Sequence, residues 1–515
     1  MFKNLTIVCL LCASTVDSTG QIKIRDGAVL KSASFKHYVD YFNKMEDENI
    51  RQAIPNDSAW QWMQKNIPLF ECPQQNFEEM FYYRWWTLRK HIKATEKGFV
   101  FTEFLVQRSY ADKYNLISSA LGHHLYESRW LHNKKYMDDN ILVWYRGNDG
   151  KPMKKLRAYS NWAIDGIYNR FLVNNDKRFI TSLLPDLEAD YAGWEQEKRL
   201  PNGIYWQFDV RDAMEETISG GRKEKNARPS INGYMFGNAK AMASIAMLAN
   251  KKDLIEFYNA KADTIKQLTQ SKLWNSEHNF FEVLKQADTS SNVKEEIGFI
   301  PWYFNLPDRK YDVAWKSVSD PKTFKAPFGI TTADRSHPEF RTHGCCNCEW
   351  DGAVWPFATS QTLTAMANLM DNDDQHVVGD TTYFELLETY VEAQYYRGRP
   401  YIGEYLDEKT GYWLKGDEER SRYYNHSTFN DLIITGLVGL RPQEGDTIEI
   451  NPLLPENTWD WFCLDNVLYH DKIITIIWDK TGSKYKKGRG LSVWANGRKL
   501  ASADTLGRIR AKLGK

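Results

Sequence analysis

Ile231-Asn-Gly-Tyr-Met-Phe-Gly-Asn-Ala-Lys-Ala-Met-Ala-Ser-Ile-Ala-Met-Leu-Ala-Asn250 repeats apolar residues at three- and four-residue spacing along its whole length. That is the period of an α-helix, not of a strand. The same period returns on both sides of it. Phe77–Ile92, Ser118–Leu131 and Ser160–Phe171 precede it, and Asp253–Trp274, Gly352–Met370 and Tyr383–Tyr396 follow. The segments between are rich in Gly, Pro, Asn and Asp, and many are long, as loops that bind and catalyse tend to be. After about Leu440 the pattern changes to short β-branched and aromatic runs between turns: Thr447-Ile-Glu-Ile, Trp461-Phe-Cys-Leu, Lys472–Trp478 and Leu491–Ala495. The expectation is a mainly α protein, with helices paired around a central cleft over residues 21–440 and a small β-sheet domain over 441–515.

The 515 residues exceed the usual size of a single core, which fits one large domain and a smaller one. Basic and acidic residues balance at 67 each, with no long basic run, so a nucleic-acid partner is not expected. Aromatics reach 14%, with 19 Trp and 28 Tyr, enough to line a cleft as well as a core. Past residue 20 no apolar stretch is long enough to span a membrane. Lys3 precedes the apolar run Leu5–Ala13, and small residues follow at Ser14, Ser18, Thr19 and Gly20. This reads as a signal peptide over residues 1–20, and so as a secreted or periplasmic protein. Lipid attachment at Cys12 is disfavoured by the bulky Leu11 before it.

Residues 203–221, Gly-Ile-Tyr-Trp-Gln-Phe-Asp-Val-Arg-Asp-Ala-Met-Glu-Glu-Thr-Ile-Ser-Gly-Gly, mix carboxylates with rings between two glycine turns. Trp206, Asp209, Arg211, Asp212 and Glu215 fall here. Solubility alone asks for charge without rings, and a core asks for rings without charge. Together they suit a site that stacks a flat polar ligand such as a sugar and performs acid–base chemistry on it. The alternative is an amphipathic turn with solvated acids.

Three more segments join it. Glu349-Trp-Asp-Gly-Ala-Val-Trp-Pro-Phe-Ala-Thr-Ser-Gln places Trp350, Asp351 and Trp355 at a helix start, where Asp351 also suits an N-cap. Gly403-Glu-Tyr-Leu-Asp-Glu-Lys-Thr-Gly sets Glu404 in a loop flanked by glycines. Arg422-Tyr-Tyr-Asn-His-Ser-Thr-Phe-Asn-Asp offers Asn425 and His426, either as sugar ligands or as satisfied structural groups. Behind His343 stand Cys345, Cys346 and Cys348, a possible zinc set but one in which adjacent cysteines turn poorly to one metal. Packing or a local disulfide is the favoured reading, and no cofactor is expected.

These segments resemble known enzymes. Trp350-Asp-Gly-Ala-Val-Trp-Pro-Phe-Ala is similar to the Gln-Trp-Asp-x-Pro-x-Gly-Trp-Ala-Pro signature of trehalases. Ala213-Met-Glu-Glu-Thr is similar to the Gly-Trp/Met-Asp-x-Ser motif of trehalases and glycoside hydrolase family 63. From about residue 75 to 460 the chain resembles the mannosylglycerate-hydrolase-like branch of the six-hairpin glycosidases. The resemblance implies an (α/α)6 barrel, hydrolysis with inversion, and a terminal α-linked gluco- or manno-configured sugar as substrate. It puts the general acid at Glu215 and the general base at Glu404. Two departures stand out: the acid is Glu where relatives have Asp, and the Gln before the Trp-Asp signature is Glu349. Asp212, three residues before Glu215, is a rival acid if the stretch is helical.

Two other functions compete. One is a zinc-dependent cysteine glycosidase using Cys345, Cys346 or Cys348. The other is a carbohydrate-binding protein without catalysis, which would have no use for a buried protonated carboxyl.

Overall fold

The computed structural model describes residues 28–343, 348–372 and 375–514. The proposed leader, with Cys12, and the pair Cys345 and Cys346 lie outside these residues.

The periodic segments are helices at Gln75–Lys90, Leu121–Ser128, Ala163–Asn174, Pro229–Leu248, Lys252–Lys272, Pro356–Asn372 and Asp380–Ala393. Pro229 opens its helix at the first turn, where the missing N–H costs nothing. Helices also form at Lys135–Arg146 and Leu184–Lys198, where charged residues interrupt the apolar stripe. Pro229–Leu248 packs on Lys252–Lys272 and on Ala163–Asn174, which in turn packs on Leu121–Ser128. Pro356–Asn372 packs on Asp380–Ala393, and that helix on Gln75–Lys90. Contact is tight: a Cβ on Gly122 would lie 2.1 Å from the Trp162 indole, which fills the centre of this layer.

The C-terminal strands form two antiparallel sheets. In the larger one Trp461–Tyr469, Lys472–Asp479, Gly490–Ala495 and Arg498–Ala503 run in chain order. Its outer edge comes from the other end of the molecule, where Leu69–Glu71 pairs with Trp461–Tyr469, Leu69 opposite Asp465. The Asp465 carboxylate accepts the N–H groups of Val29 at 2.7 Å and Leu30 at 2.9 Å, and the Thr475 hydroxyl at 2.6 Å. The smaller sheet joins Leu440–Arg441, Thr447–Ile450 and Ile509–Lys512. The β structure is thus not confined to residues after 440. Ile474, Ile476, Phe462 and Leu464 are fully buried, which ties the sheet to the main core.

Among the described residues no helix is long and apolar enough to cross a membrane.

Candidate active site

A short ladder, Trp206 opposite Ala227 and Gln207 opposite Asn226, closes the loop that carries the first group of acids. Inside it the Asp209 carbonyl accepts the N–H groups of Asp212 at 2.9 Å and Met214 at 3.1 Å. Ala213 and Glu216, on either side of Met214 and Glu215, take left-handed φ values of 59° and 66°. Non-glycine residues hold such angles at a cost of about 1–3 kcal/mol, so the surrounding contacts must fix them. The stretch is therefore not helical, and Asp212 does not share a face with Glu215. Asp212 turns inward, 1% exposed, onto Arg228 Nε at 2.8 Å and the Ser230 hydroxyl. Glu215 is half-buried. Burial first, then the charges of Asp209 and Glu404, pushes its carboxyl up to about 7, against the pull of Arg222.

Glu404 sits in a loop held by Leu406, which bridges to both Val354 and Trp413. Glycine is needed at position 403, since a Cβ there would lie 2.7 Å from the Tyr401 ring. The Glu404 N–H donates to Ser421 Oγ at 3.1 Å. Its carboxylate is 3% exposed, accepts from Arg420 Nη1 at 3.0 Å and lies 3.1 Å from Lys415 Nζ. The neighbouring acids are committed elsewhere. Asp407 and Glu408 face Arg341 at 3.6 and 3.4 Å, Asp417 pairs with Arg397 at 3.0 Å, and Glu418 with Arg420 at 2.6 Å. Glu349 also pairs with Arg341.

A third carboxyl, Glu103, belongs to the same cleft. It is buried, accepts the Tyr424 hydroxyl at 2.6 Å and the Ser119 hydroxyl at 3.1 Å, and feels the charges of Glu404 and Glu215. Burial pushes it up to about 8, despite those two hydrogen bonds. Beside it Phe104, Ile117 and Tyr424, with Ala111 and Tyr159, make a small apolar cluster apart from the main core, the wall of the cleft. Sequence reasoning missed Glu103. Its signal was a lone acid in the apolar run Phe99-Val-Phe-Thr-Glu-Phe-Leu105.

The other candidates are placed as follows. Trp206 is buried, with the ammonium groups of Lys198 and Lys225 at 4.2 and 4.9 Å from its ring centre. Asp209 is buried and its carboxyl is raised by burial. Arg211 is exposed, its guanidinium 5.4 Å from the Tyr159 ring centre. Trp355 stacks on Trp350 at 4.4 Å and on Tyr405 at 4.6 Å. The latter two rings do not stack on each other, so they cover opposite faces of the Trp355 indole and leave neither for a sugar. Asp351 is buried five residues before its helix begins at Pro356, so it is not the N-cap; it accepts the His343 N–H at 3.0 Å. The Asn425 side-chain Nδ2 donates to the Thr102 carbonyl at 3.1 Å, while its backbone N–H donates to the Glu103 carbonyl and its own carbonyl meets His124 Nε2. His426 is buried against Tyr424 and kept neutral by burial, with the Tyr424 backbone beside its ring.

Cys348 lies near both acids. Burial and the Glu215 charge push its thiol up to about 12, and Lys415 Nζ is 3.8 Å from its sulfur. A nucleophilic cysteine needs the opposite shift. Among the described residues no group of three or more His, Cys, Asp or Glu is arranged to hold a metal.

Two carboxyl groups in unlike surroundings, each within reach of the other's charge, thus stand on a helix-rich scaffold that ends in a β domain. Residues 113–427 match the model of the mannosylglycerate hydrolase MGH1-like glycoside hydrolase domain, and the chain belongs to that family. Residues 440–501 match the glycosyl hydrolase family 65 C-terminal domain. A solved structure named "Sialidase" is 62% identical over 94% of this chain, with a TM-score of 0.93, but the chain spans only 45% of that protein. The mannosylglycerate hydrolase of Thermus thermophilus in complex with glucose is 12% identical, with a TM-score of 0.52, over 69% of this chain and 99% of its own. An uncharacterised protein of Borreliella burgdorferi is 22% identical over 34% of this chain and 37% of its own.

Proposed function

We propose that this protein is an inverting, exo-acting glycosidase with an (α/α)6 barrel. It removes a terminal, α-linked gluco- or manno-configured sugar, and a leader in residues 1–20 sends it to the periplasm or outside the cell. Glu215 is the general acid and Glu404 the general base.

The observation that carries this reading is the unlike environment of the two carboxyl groups. Glu215 is held up at about 7 by burial, so it keeps a proton near neutrality. Glu404 faces Arg420 and Lys415 and offers a carboxylate to a water molecule. A carboxyl kept protonated by burial, facing a second carboxylate held by cations, suits the acid and base roles of glycoside hydrolysis. In the proposed reaction Glu404 takes a proton from water as its oxygen attacks the anomeric carbon. Glu215 gives its proton to the glycosidic oxygen as that bond breaks. The cycle closes when the two carboxyl groups exchange a proton with solvent.

The test is a screen of α- and β-glycosides and natural oligosaccharides with the purified protein, scored by reducing sugar released. Release from none of them, with the fold intact, overturns the reading in favour of a binding protein.

A further inference from the structure

The side of the cleft next to Glu215 carries unbalanced positive charge. A cavity of about 390 Å³ there is lined by Tyr110, Lys155, Ala158, Lys198, Phe208 and Arg211. It adjoins the acids. Tyr159, under the Arg211 guanidinium, feels the charges of Glu215 and Glu103, and Tyr110 feels those of Glu103 and Glu404.

The cations have neutral partners. Lys155 Nζ donates to the carbonyls of Tyr110 at 2.7 Å and Ala111 at 3.1 Å, and Lys198 Nζ to Gln207 Oε1 at 3.0 Å. The Lys198 and Lys225 ammonium groups lie 4.2 and 4.9 Å from the Trp206 ring centre. Among the described residues no carboxylate lies within 4.0 Å of the charged group of Lys155, Lys198, Arg211 or Lys225. The carboxylates nearest in charge to Lys198 are spent: Glu197 on Arg157 and Asp212 on Arg228, each at 2.8 Å. Burial, with Arg211 and Lys225 behind it, pushes Lys198 below the ordinary lysine range. Like charges gathered around a cavity repel one another, and an anion entering it relieves that repulsion.

We propose that this cavity holds the leaving-group portion of the substrate and selects an anionic sugar residue there, one bearing a carboxylate or a sulfate ester. The inference rests on the glycosidase reading, which places the leaving oxygen at Glu215, in the same loop as Arg211. Phe208 and Tyr110 supply ring surface for the sugar, and Lys198 and Arg211 supply the charge.

Binding separates this idea from turnover. Calorimetric titration of the E215Q protein would use three probes: trigalacturonate, its neutral carboxyl-reduced form, and a sulfated galactan tetrasaccharide. At least one anionic probe is expected to bind about tenfold or more tighter than the neutral one, about 1.4 kcal/mol, with the preference shrinking as salt rises. Which anion binds better identifies the substituent. The K198Q/R211Q pair is expected to erase the preference, and K252Q, at an exposed lysine remote from the cleft, to keep it. Because Lys198 is half-buried, R211Q and K225Q are measured singly as well, and each is expected to reduce the preference severalfold. Equal binding of charged and neutral probes, no binding of either anion, or an unchanged preference in K198Q/R211Q overturns the proposal. A protein that passes these tests but cleaves nothing in the glycoside screen keeps its anion site and loses the glycosidase reading.

Discussion

The negative charge of Glu404 reaches Glu215 and, after burial and Asp209, helps to keep a proton on it. The two residues lie on different long loops, one closed by the Trp206–Ala227 ladder and the other held by Leu406. In the proposed mechanism the charge on the one carboxylate thus favours the protonated form of the other.

Glu215→Gln is expected to lower turnover by about 10²–10⁴-fold on a substrate with a poor leaving group, the usual size of a general-acid contribution. With its carboxyl at about 7, activity should fall as pH rises through that value. The alkaline limb of kcat/KM should vanish in the variant. An unchanged limb assigns the proton to another group.

Glu404→Gln should abolish hydrolysis. Because it leaves Lys415 buried beside an uncharged amide, it should also lower the melting temperature, with the folded state checked by circular dichroism. In the wild-type protein, proton NMR of the first-formed sugar should show the anomer opposite to that of the substrate. Inversion also requires the two carboxyl groups to stand about 6.5–9.5 Å apart in a ligand complex. Retention of configuration would reject Glu404 as a base and recast it as a nucleophile.

Asp212→Asn should act on stability. It leaves Arg228 buried without its closest carboxylate, and breaking such a pair costs about 3–5 kcal/mol. The melting temperature should drop by several degrees, while Glu215→Gln leaves it nearly unchanged. If Asp212→Asn instead melts normally and is inactive, the acid is Asp212.

Glu103→Gln tests the third carboxyl through pH. Its folded value, about 8, lies above the ordinary glutamate value, so its contribution to stability is full in acid and is lost as pH rises through 8. Glutamine has no proton to lose. The melting temperature of the variant, relative to wild type, should therefore climb between pH 5 and 9, by an amount on the order of a few kcal/mol in stability. A constant offset across that range would show that Glu103 is not held neutral.

Cys348→Ser should keep turnover within about tenfold, because a hydroxyl still accepts from Lys415 and the thiol at about 12 is not the attacking group. Complete loss, together with loss on chelation, would favour the cysteine-glycosidase alternative.

Much of the scaffold was legible because helix burial writes a regular period into the chain. Pro229–Leu248 and Lys472–Asp479 lie within a residue or two of where their patterns put them. Lys135–Arg146 and Leu184–Lys198 escaped because one face of each is wet and charged. Leu69–Glu71 escaped because three residues carry no period. In the cleft, residue type was informative and orientation was not. Asp212 and Glu215 look alike in the sequence, and their different surroundings come from Arg228 and Ser230 on one side and Glu404 on the other. Trp355 reads as a sugar platform until Trp350 and Tyr405 are seen to cover it.

The edge strand Leu69–Glu71 and the grip of Asp465 on Val29 and Leu30 have an evolutionary consequence. A recombination event with its joint near residue 440 would strip that strand of its partner and leave two backbone N–H groups without their acceptor. A chain recombined there is therefore expected to fold less stably than one that keeps the helical portion and the terminal sheet together.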